Sequence, residues 1–298
     1  MRIAAAALLV CSLGVLPATG QQDQSAKVSE PAQTDDTLKV EVSLVQVFFS
    51  VHDRHNGLVG NLNKNDFTVF EDGKQQEIKA FERETDLPIT MGLLIDVSKS
   101  QENLLDITKE AASQFFGAVL RQKDQAFLIA FGPEADLLQD YTNSPKLLRA
   151  GLKGLKVDTD FGGGVMASGP VPTISQPRGT ILYDAVYLAA HDQLRNQVGR
   201  KALVLITDGD DQGSRYKITD AIEAAQKADA IIFSIQYTDP RYHGFFGGGD
   251  GALKRMSEET GGRVFHVSHK EPLSAVFQEI QDELRTQYQI AYASTNTA

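Results

Sequence analysis

The chain has 298 residues, of which 42% are apolar and 23% are charged, values that are ordinary for a globular protein with a sizeable core. Its formal net charge is -10 and no basic stripe offsets it, so the composition argues against a nucleic-acid partner and against an anionic membrane surface. The single cysteine, Cys11, lies in an apolar run near the start, which predicts a mature chain without disulfides or thiolate metal sites.

Residues 1–20 have the organisation of a secretory signal peptide. Arg2 supplies a positive charge, residues 3–15 are almost all apolar, and small residues at 18–20 fit a cleavage position. The run is short and rich in alanine for a membrane span, and an uncleaved anchor is the alternative. No second apolar run of membrane length follows. The sequence therefore predicts an exported protein, periplasmic or extracellular, with no membrane span in the mature chain.

The next two segments differ in apolar content. Residues 21–37 are rich in Gln, Ser, Asp, Glu and Pro, a composition that predicts a disordered linker. Residues 38–86 alternate apolar and polar side chains between turn sequences, which predicts a small β-rich, sandwich-like unit without helices. Within that unit, Glu-Asp-Gly-Lys at 71–74 predicts a tight hairpin.

From residue 87 to residue 298 the pattern changes to strands that alternate with amphipathic helices. The runs that predict strands are 91–95, 126–131, 202–206, 230–235 and 264–267, with a short edge strand near 137–141. Such alternation predicts an α/β fold with a doubly wound, mostly parallel sheet that helices cover on both faces. One more strand, at 288–292, follows the last helix and could return toward the β-rich unit.

Oxygen-bearing side chains follow two of the predicted strands. Asp96, Ser98 and Ser100 follow the first strand of the sheet, Asp208 follows strand 202–206, and Thr180 opens a helix between them. Ligands of an open parallel sheet bind beyond the carboxyl ends of its strands, where the strand order reverses. We therefore expect these side chains in one crevice, with Asp96 on a loop beyond the sheet.

This donor set consists of two carboxylates and three hydroxyls, and no histidine or cysteine lies in the three loops. The set disfavours zinc and suits a small hard cation, which predicts Mg²⁺, with Mn²⁺ or Ca²⁺ as alternatives. It leaves room for water and for one outside ligand. A carboxylate from a partner would meet positive charge on the ion. Helix capping is the competing interpretation of the Asp-x-Ser-x-Ser stretch.

The same three loops resemble the metal-ion-dependent adhesion site (MIDAS) of von Willebrand factor type A (VWA) domains. The resemblance rests on LLIDVSKS at 93–100, GTILYDA at 179–185 and VLITDG at 204–209, and it spans residues 88–284. It implies a Rossmann-like, six-stranded sheet with one short antiparallel edge strand. It also implies that the Ser and Thr hydroxyls touch the ion while the second aspartate acts through water. The β-rich unit before such a domain, with FTVFEDGK at 67–74, resembles a group of exported bacterial VWA-related proteins.

Other features near these loops are weaker. A long glycine-rich insert at 161–178 precedes Thr180, and it either shapes partner choice or is a plain loop. Asp210 and Asp211 allow a second ion, but solvated turn charges are the favoured interpretation. His266 and His269 have a metal-like spacing but sit at a strand end, which disfavours a metal role.

Three functions fit these observations to different degrees. The favoured one is a non-catalytic, divalent-metal-dependent protein-binding module whose ion is completed by an Asp or Glu carboxylate of a protein partner. The alternative is a metal-dependent hydrolase, because two acids lie near a hard cation. The chain has no Gly-x-Ser-x-Gly elbow, no histidine base in the three loops and no phosphate loop. The third hypothesis is a structural scaffold with a vestigial site, and the complete ligand set argues against it.

Overall fold

The computed structural model describes residues 44–55, 57–84, 87–157, 179–238, 249–268 and 270–295. The predicted signal peptide and linker, the insert at 161–178 and His269 lie outside the described residues. Within the described ranges, no helix is both long and apolar enough to cross a membrane.

A six-stranded sheet forms the centre of the fold, with the strand order β10-β9-β8-β5-β6-β7. Every neighbouring pair is parallel except β6 and β7, which pair antiparallel at one edge. The predicted mostly parallel sheet with an antiparallel edge strand is therefore confirmed. The six strands are β5 (Ile89–Asp96), β6 (Gln125–Phe131), β7 (Ala135–Thr142), β8 (Arg200–Thr207), β9 (Ala230–Gln236) and β10 (Val264–His266).

Helices cover both faces of this sheet, as the alternation of elements predicts. Met91, Leu93 and Ile95 of β5 face a cluster that contains α1, α2 and α6, whereas Leu94 faces a cluster that contains α3, α4 and α5. A strand that is buried on both faces needs a nearly continuous apolar sequence, which β5 has from Met91 to Ile95. The helices are α1 (Leu105–Val119), α2 (Pro145–Lys153), α3 (Leu182–Leu188, continued by a π-helical turn Ala189–Leu194), α4 (Ile218–Lys227), α5 (Gly249–Glu258) and α6 (Leu273–Arg285).

The strand order reverses between β5 and β8. From β5 the chain builds the sheet outward through β6 and β7 on one side, and it later returns to build β8, β9 and β10 on the other. A crevice opens beyond the carboxyl ends of two strands that diverge in this way. Asp96 ends β5 and Thr207 ends β8, so Asp96 and Asp208 stand at this point.

A second, three-stranded antiparallel sheet contains β1 (Leu44–Phe49), β11 (Gln287–Ala293) and β4 (Ile78–Glu84) in the order β1-β11-β4. The predicted last strand is confirmed, and it returns to the β-rich unit as the middle strand of its sheet. The predicted hairpin joins β2 (Val69–Glu71) and β3 (Lys74–Gln76), with positive φ angles of 49° at Asp72 and 77° at Gly73. Positive φ at both central residues is the requirement of a two-residue type I′ hairpin turn.

An aromatic cluster forms the core of the small sheet. The ring of Tyr288, from β11, lies 5.6 to 5.7 Å from the rings of Phe49, Phe67 and Phe81. Its hydroxyl donates to the Val59 carbonyl at 2.7 Å and accepts the Leu62 amide at 3.0 Å. The small unit thus depends for its core on a residue near the far end of the chain.

Candidate metal centre

Asp96 is the last residue of β5, and its side chain is buried, with 1% of the residue exposed. The expectation that it lies on a loop beyond the sheet is wrong, because the parallel pairing of β5 with β6 continues as far as Asp96 and Phe131. The Oδ1 atom accepts the Ser98 amide at 2.8 Å, and Oδ2 accepts the Thr207 hydroxyl at 2.6 Å. Both carboxylate oxygens are therefore held in place by donors from β8 and the first loop.

The two serines of the first loop connect Asp96 to Asp208. Ser98 precedes a 3₁₀ turn at Lys99–Gln101 and Ser100 lies within it, and their hydroxyl oxygens are 3.0 Å apart. The Ser100 hydroxyl donates to Asp208 Oδ2 at 2.6 Å. Four of the five predicted ligands, Asp96, Ser98, Ser100 and Asp208, thus belong to one hydrogen-bonded set that joins the first loop to the third.

Thr180, the fifth predicted ligand, is attached to the same loops through its backbone. Its carbonyl oxygen accepts the amides of Gln212 at 2.9 Å and Gly213 at 3.1 Å, which follow Asp208 in the third loop. The next residue, Ile181, donates its amide to Gly132 at the end of β6, at 2.9 Å. Within the described part of the chain, the half-buried Thr180 side chain makes no hydrogen bond to the other four residues.

The site contains two acidic side chains, and no basic side chain pairs with them among the described residues. Burial and the neighbouring Asp208 carboxylate raise the pKa of Asp96 to about 7, against an ordinary value of 3.8. Among the ion pairs of the described residues, none involves Asp96 or Asp208. A carboxylate that is buried beside another carboxylate is costly to ionise unless a cation joins it.

Three polar residues that the sequence reasoning did not single out also build the site. Thr207 is fully buried, and its hydroxyl accepts the Gly209 amide at 3.0 Å while it donates to Asp96. Gln101 is buried and donates from Nε2 to the Tyr237 carbonyl at 3.1 Å, which anchors the first loop to the end of β9. Asp184 accepts two amides of the third loop, those of Arg215 and Tyr216, at 2.8 and 2.9 Å. Thr207 ends an apolar stretch of β8 and Asp184 lies in the otherwise apolar α3, a signal that could have found both, whereas Gln101 in its polar turn has no such local signal.

The neighbouring acids have structural contacts instead of a second cluster. Asp211 accepts the Tyr183 amide at 3.2 Å and the Ser214 hydroxyl, and so ties the third loop to α3. The Asp210 amide donates to Asp208 Oδ1 at 3.2 Å. Across the residues that the structure describes, no group of three or more His, Cys, Asp or Glu side chains is arranged for a metal. The Asp96 and Asp208 carboxylates are completed by hydroxyl oxygens, a donor set that fits a small hard cation.

Several solved structures are similar to this chain in fold. Proximal thread matrix protein 1 from the mussel byssus is similar at 14% sequence identity and a TM-score of 0.50, over 72% of this chain and 51% of that one. The same mussel protein with a zinc-occupied MIDAS motif is similar at 13% identity and a TM-score of 0.50, over 72% of this chain and 50% of that one. This chain has the fold of a von Willebrand factor type A domain. The strand order of this fold, and its reversal between β5 and β8, are those described above.

Two further structures are similar to this chain. One is a von Willebrand factor type A protein from Catenulispora acidiphila, with 13% identity and a TM-score of 0.46, over 75% of this chain and 67% of that one. The other is BatB from Bacteroides thetaiotaomicron, with 19% identity and a TM-score of 0.47, over 66% and 99%. No protein-family model and no curated protein matches the chain.

Proposed function

We propose that this chain is an exported, non-catalytic protein-binding module that depends on a divalent metal ion. Asp96, Ser98, Ser100, Thr180 and Asp208 hold the ion, and an Asp or Glu side chain of a protein partner completes its coordination. The observation that carries the proposal is the pair of carboxylates at the reversal of strand order, joined through Ser100 and lacking a basic partner among the described residues.

The hydrogen bonds leave the hydroxyl oxygens available to a cation. The Ser100 proton is directed to Asp208, so Ser98 donates the proton in the 3.0 Å contact between the two serine oxygens. Each serine oxygen keeps lone pairs for an ion. Mg²⁺ retains several waters and needs few direct carboxylates, so a set with more hydroxyls than carboxylates suits it.

The position of Asp208 supports the role given to the partner. Its Oδ2 accepts the Ser100 hydroxyl and its Oδ1 accepts the Asp210 amide, so both oxygens already have donors. A carboxylate that acts on the ion through such donors or through water neutralises it less than a direct ligand does. The ion would then keep an attraction for an outside carboxylate, which is the basis of adhesion in this proposal.

A non-catalytic role is part of the proposal. In the described part of the chain, the hydrogen bonds of Asp96 and Asp208 come from hydroxyls and amides, and none comes from an imidazole or a thiol. Acyl and phosphoryl transfer need a positioned nucleophile, a base or a phosphate cradle beside the metal. The predicted signal peptide at 1–20 supports export to the periplasm or the exterior.

Metal binding is tested by calorimetric titration of the mature chain with Mg²⁺, Mn²⁺, Ca²⁺ and Zn²⁺. An all-oxygen donor set should bind Mg²⁺ and Mn²⁺ measurably at neutral pH and should not require zinc. Asp96→Asn should abolish binding. Asp106→Asn is the matched control, because this exposed helix residue has a side chain that is 98% accessible and pairs loosely with Lys109.

Partner binding is tested by capture of exported proteins on the immobilised chain, with Mg²⁺ and with chelator. A partner that requires Mg²⁺ is expected to bind the parent and Asp106→Asn but not Asp96→Asn. Replacement of each acidic residue at the partner's interface by its amide should then remove binding. A partner that is held equally in chelator would contradict the adhesion mechanism, and turnover of an ester or phosphate would contradict the non-catalytic role.

A further inference from the structure

The backbone that follows Asp208 lies directly against the first residue of α5. Gly209 has a φ angle of +88°, a conformation that side-chain-bearing residues rarely adopt. A Cβ atom on Gly209 would lie 2.6 Å from the Gly249 carbonyl oxygen. A Cβ atom on Gly249 would overlap the Asp208 carbonyl oxygen and lie 2.6 Å from the Gly209 carbonyl carbon. The two backbones therefore touch at two glycines, with no room for a methyl group.

Gly209 is connected to both carboxylates of the metal centre. Its amide donates to the Thr207 hydroxyl at 3.0 Å, and that hydroxyl donates to Asp96 Oδ2 at 2.6 Å. Its preceding neighbour is Asp208, whose Oδ2 accepts the Ser100 hydroxyl. A displacement of Gly209 would thus move Asp208 directly and would loosen the donor that orients Asp96.

We propose that Gly249 is a positioning residue for the metal centre: α5 packs its first residue against Asp208 and Gly209 and so sets the geometry of both carboxylates. Gly249 touches no ion and no partner in this proposal, which rests on the function proposed above. The same contact would transmit to α5 any change in the third loop that ion binding causes.

The matched comparison is between two glycines in the first turn of α5. Gly249→Ala places a methyl group against the Asp208 and Gly209 backbone, whereas a Cβ atom on Gly251 meets nothing within 4 Å. Both substitutions remove the backbone freedom of a glycine from the same helix, so their effects on helix propensity are similar. A difference between the two in metal binding therefore reports the contact with the third loop.

The choice of ion separates positioning from a general loss of stability. Mg²⁺ demands near-ideal octahedral geometry, whereas Ca²⁺ accepts flexible coordination. A displaced Asp208 should therefore weaken Mg²⁺ binding more than Ca²⁺ binding. Weaker packing of α5 alone would lower the stability of the metal-free protein and leave the ratio of the two dissociation constants unchanged.

The experiment measures Kd for Mg²⁺ and Ca²⁺ by titration calorimetry, and melting in chelator, for the parent, Gly249→Ala and Gly251→Ala. Gly249→Ala is expected to weaken Mg²⁺ binding by about 10- to 100-fold, the range found when residues that support metal ligands are changed. Its Ca²⁺ binding should weaken less, and Gly251→Ala should stay within about twofold of the parent for both ions. Equal Kd values for the two variants, or equal losses for both ions, would overturn the proposal.

A second measurement uses the unmodified chain and decides the matter if Gly249→Ala does not fold. Mg²⁺ should slow amide hydrogen exchange at 208–210 and in the first turn of α5, and it should leave α2 unchanged. Protection of 208–210 without protection of α5 would refute the positioning role. If the parent and Gly251→Ala bind no divalent ion at all, the proposed function itself fails.

Discussion

Two buried aspartates lie at opposite ends of the same sheet, and their charged neighbours have opposite signs. Asp124, just before β6, is 2% exposed, and it accepts the amides of Ile89 at 3.0 Å and Arg121 at 2.8 Å. The guanidinium of Arg285, at the end of α6, forms an ion pair with it. Asp96, 1% exposed at the carboxyl end of β5, has hydroxyl and amide donors and an acid as its charged neighbour.

On the function proposed above, the difference separates a structural carboxylate from one that holds a metal ion. Both groups have their hydrogen bonds, so burial and hydrogen bonding alone do not distinguish them. The counter-charge does, because Asp124 carries its cation within the chain while the pKa of Asp96 is raised to about 7. On the proposed function, an ion from outside the chain supplies the counter-charge that Asp96 lacks among the described residues.

The ion pair at the structural end should have the largest effect on stability. Arg285→Met leaves the Asp124 carboxylate buried without its cation, and we expect a loss of about 3–5 kcal/mol in the free energy of unfolding. The loss should be the same with Mg²⁺ and with chelator, as measured by urea denaturation. Arg255→Met is the control, because Arg255 forms an exposed pair with Glu259, and it should cost no more than about 0.5 kcal/mol. If the loss of stability in Arg285→Met depended on Mg²⁺, Asp124 and Asp96 would no longer be distinguished as a structural carboxylate and a metal-site carboxylate.

Asp96→Asn should have the opposite sign in the metal-free protein. The pKa of Asp96 is higher in the folded chain, so its contribution to stability is full below pH 3.8 and is lost as pH rises to about 7. In chelator at pH 8, Asp96→Asn should exceed the parent by an amount on the order of 1–4 kcal/mol, and the two should converge near pH 4. Urea denaturation of both proteins at the two pH values measures this. A pH-independent difference would show that Asp96 is not the titrating group.

An amide is the more informative replacement here, because asparagine keeps one of the two acceptor oxygens of Asp96, whereas alanine leaves both the Ser98 amide and the buried Thr207 hydroxyl without an acceptor. The alanine variant therefore mixes relief of charge repulsion with lost hydrogen bonds. Asp96→Asn retains an oxygen for the Ser98 amide and nearly the same volume.

Thr207→Val tests whether the functional carboxylate needs its hydroxyl donor. The change keeps the shape and removes the bridge between Gly209 and Asp96, so Mg²⁺ affinity should fall by about 10- to 100-fold. Metal-free stability should fall by about 1–3 kcal/mol, because a buried amide loses its acceptor. Thr90→Val, at a buried position in the body of β5, should leave Mg²⁺ affinity unchanged. Calorimetric titration checks both, and equal affinities would remove Thr207 from the site.

Thr180→Val should have the smallest effect on stability. Its hydroxyl lies outside the hydrogen-bonded set of the other four residues in the described structure, so metal-free stability should change by no more than about 0.5 kcal/mol. Mg²⁺ affinity should fall by about tenfold or less, since water can replace one neutral ligand of an ion that already retains water. A destabilised metal-free protein with unchanged affinity would make Thr180 a structural residue, like Asp124.

The parts of this fold that local sequence governs were predictable. Unbroken apolar runs with helical spacing between them indicated the strand and helix order, and loops at strand ends brought Asp96, Ser98, Ser100 and Asp208 together. The burial of Asp96 was missed because strand boundaries depend on the neighbouring strand: pairing with β6 extends β5 to include it. The role of Thr207 depends on the register between β5 and β8, and Arg285 lies 161 residues from Asp124, so neither has a local signal.

The place of β11 in the small sheet has a consequence for biosynthesis. Leu44 of β1 pairs with Ala293, so β1 is synthesised long before its partner strand leaves the ribosome. Until then β1 and β4 have no common neighbour, and the rings around Tyr288 lack their centre. Pairing over such a separation is slow and leaves strand edges open to aggregation. A translation product that stops before Gln287 would retain the residues of the candidate metal centre and lack the middle strand of the small sheet, so chaperones and proteases could distinguish it from a chain that contains β11.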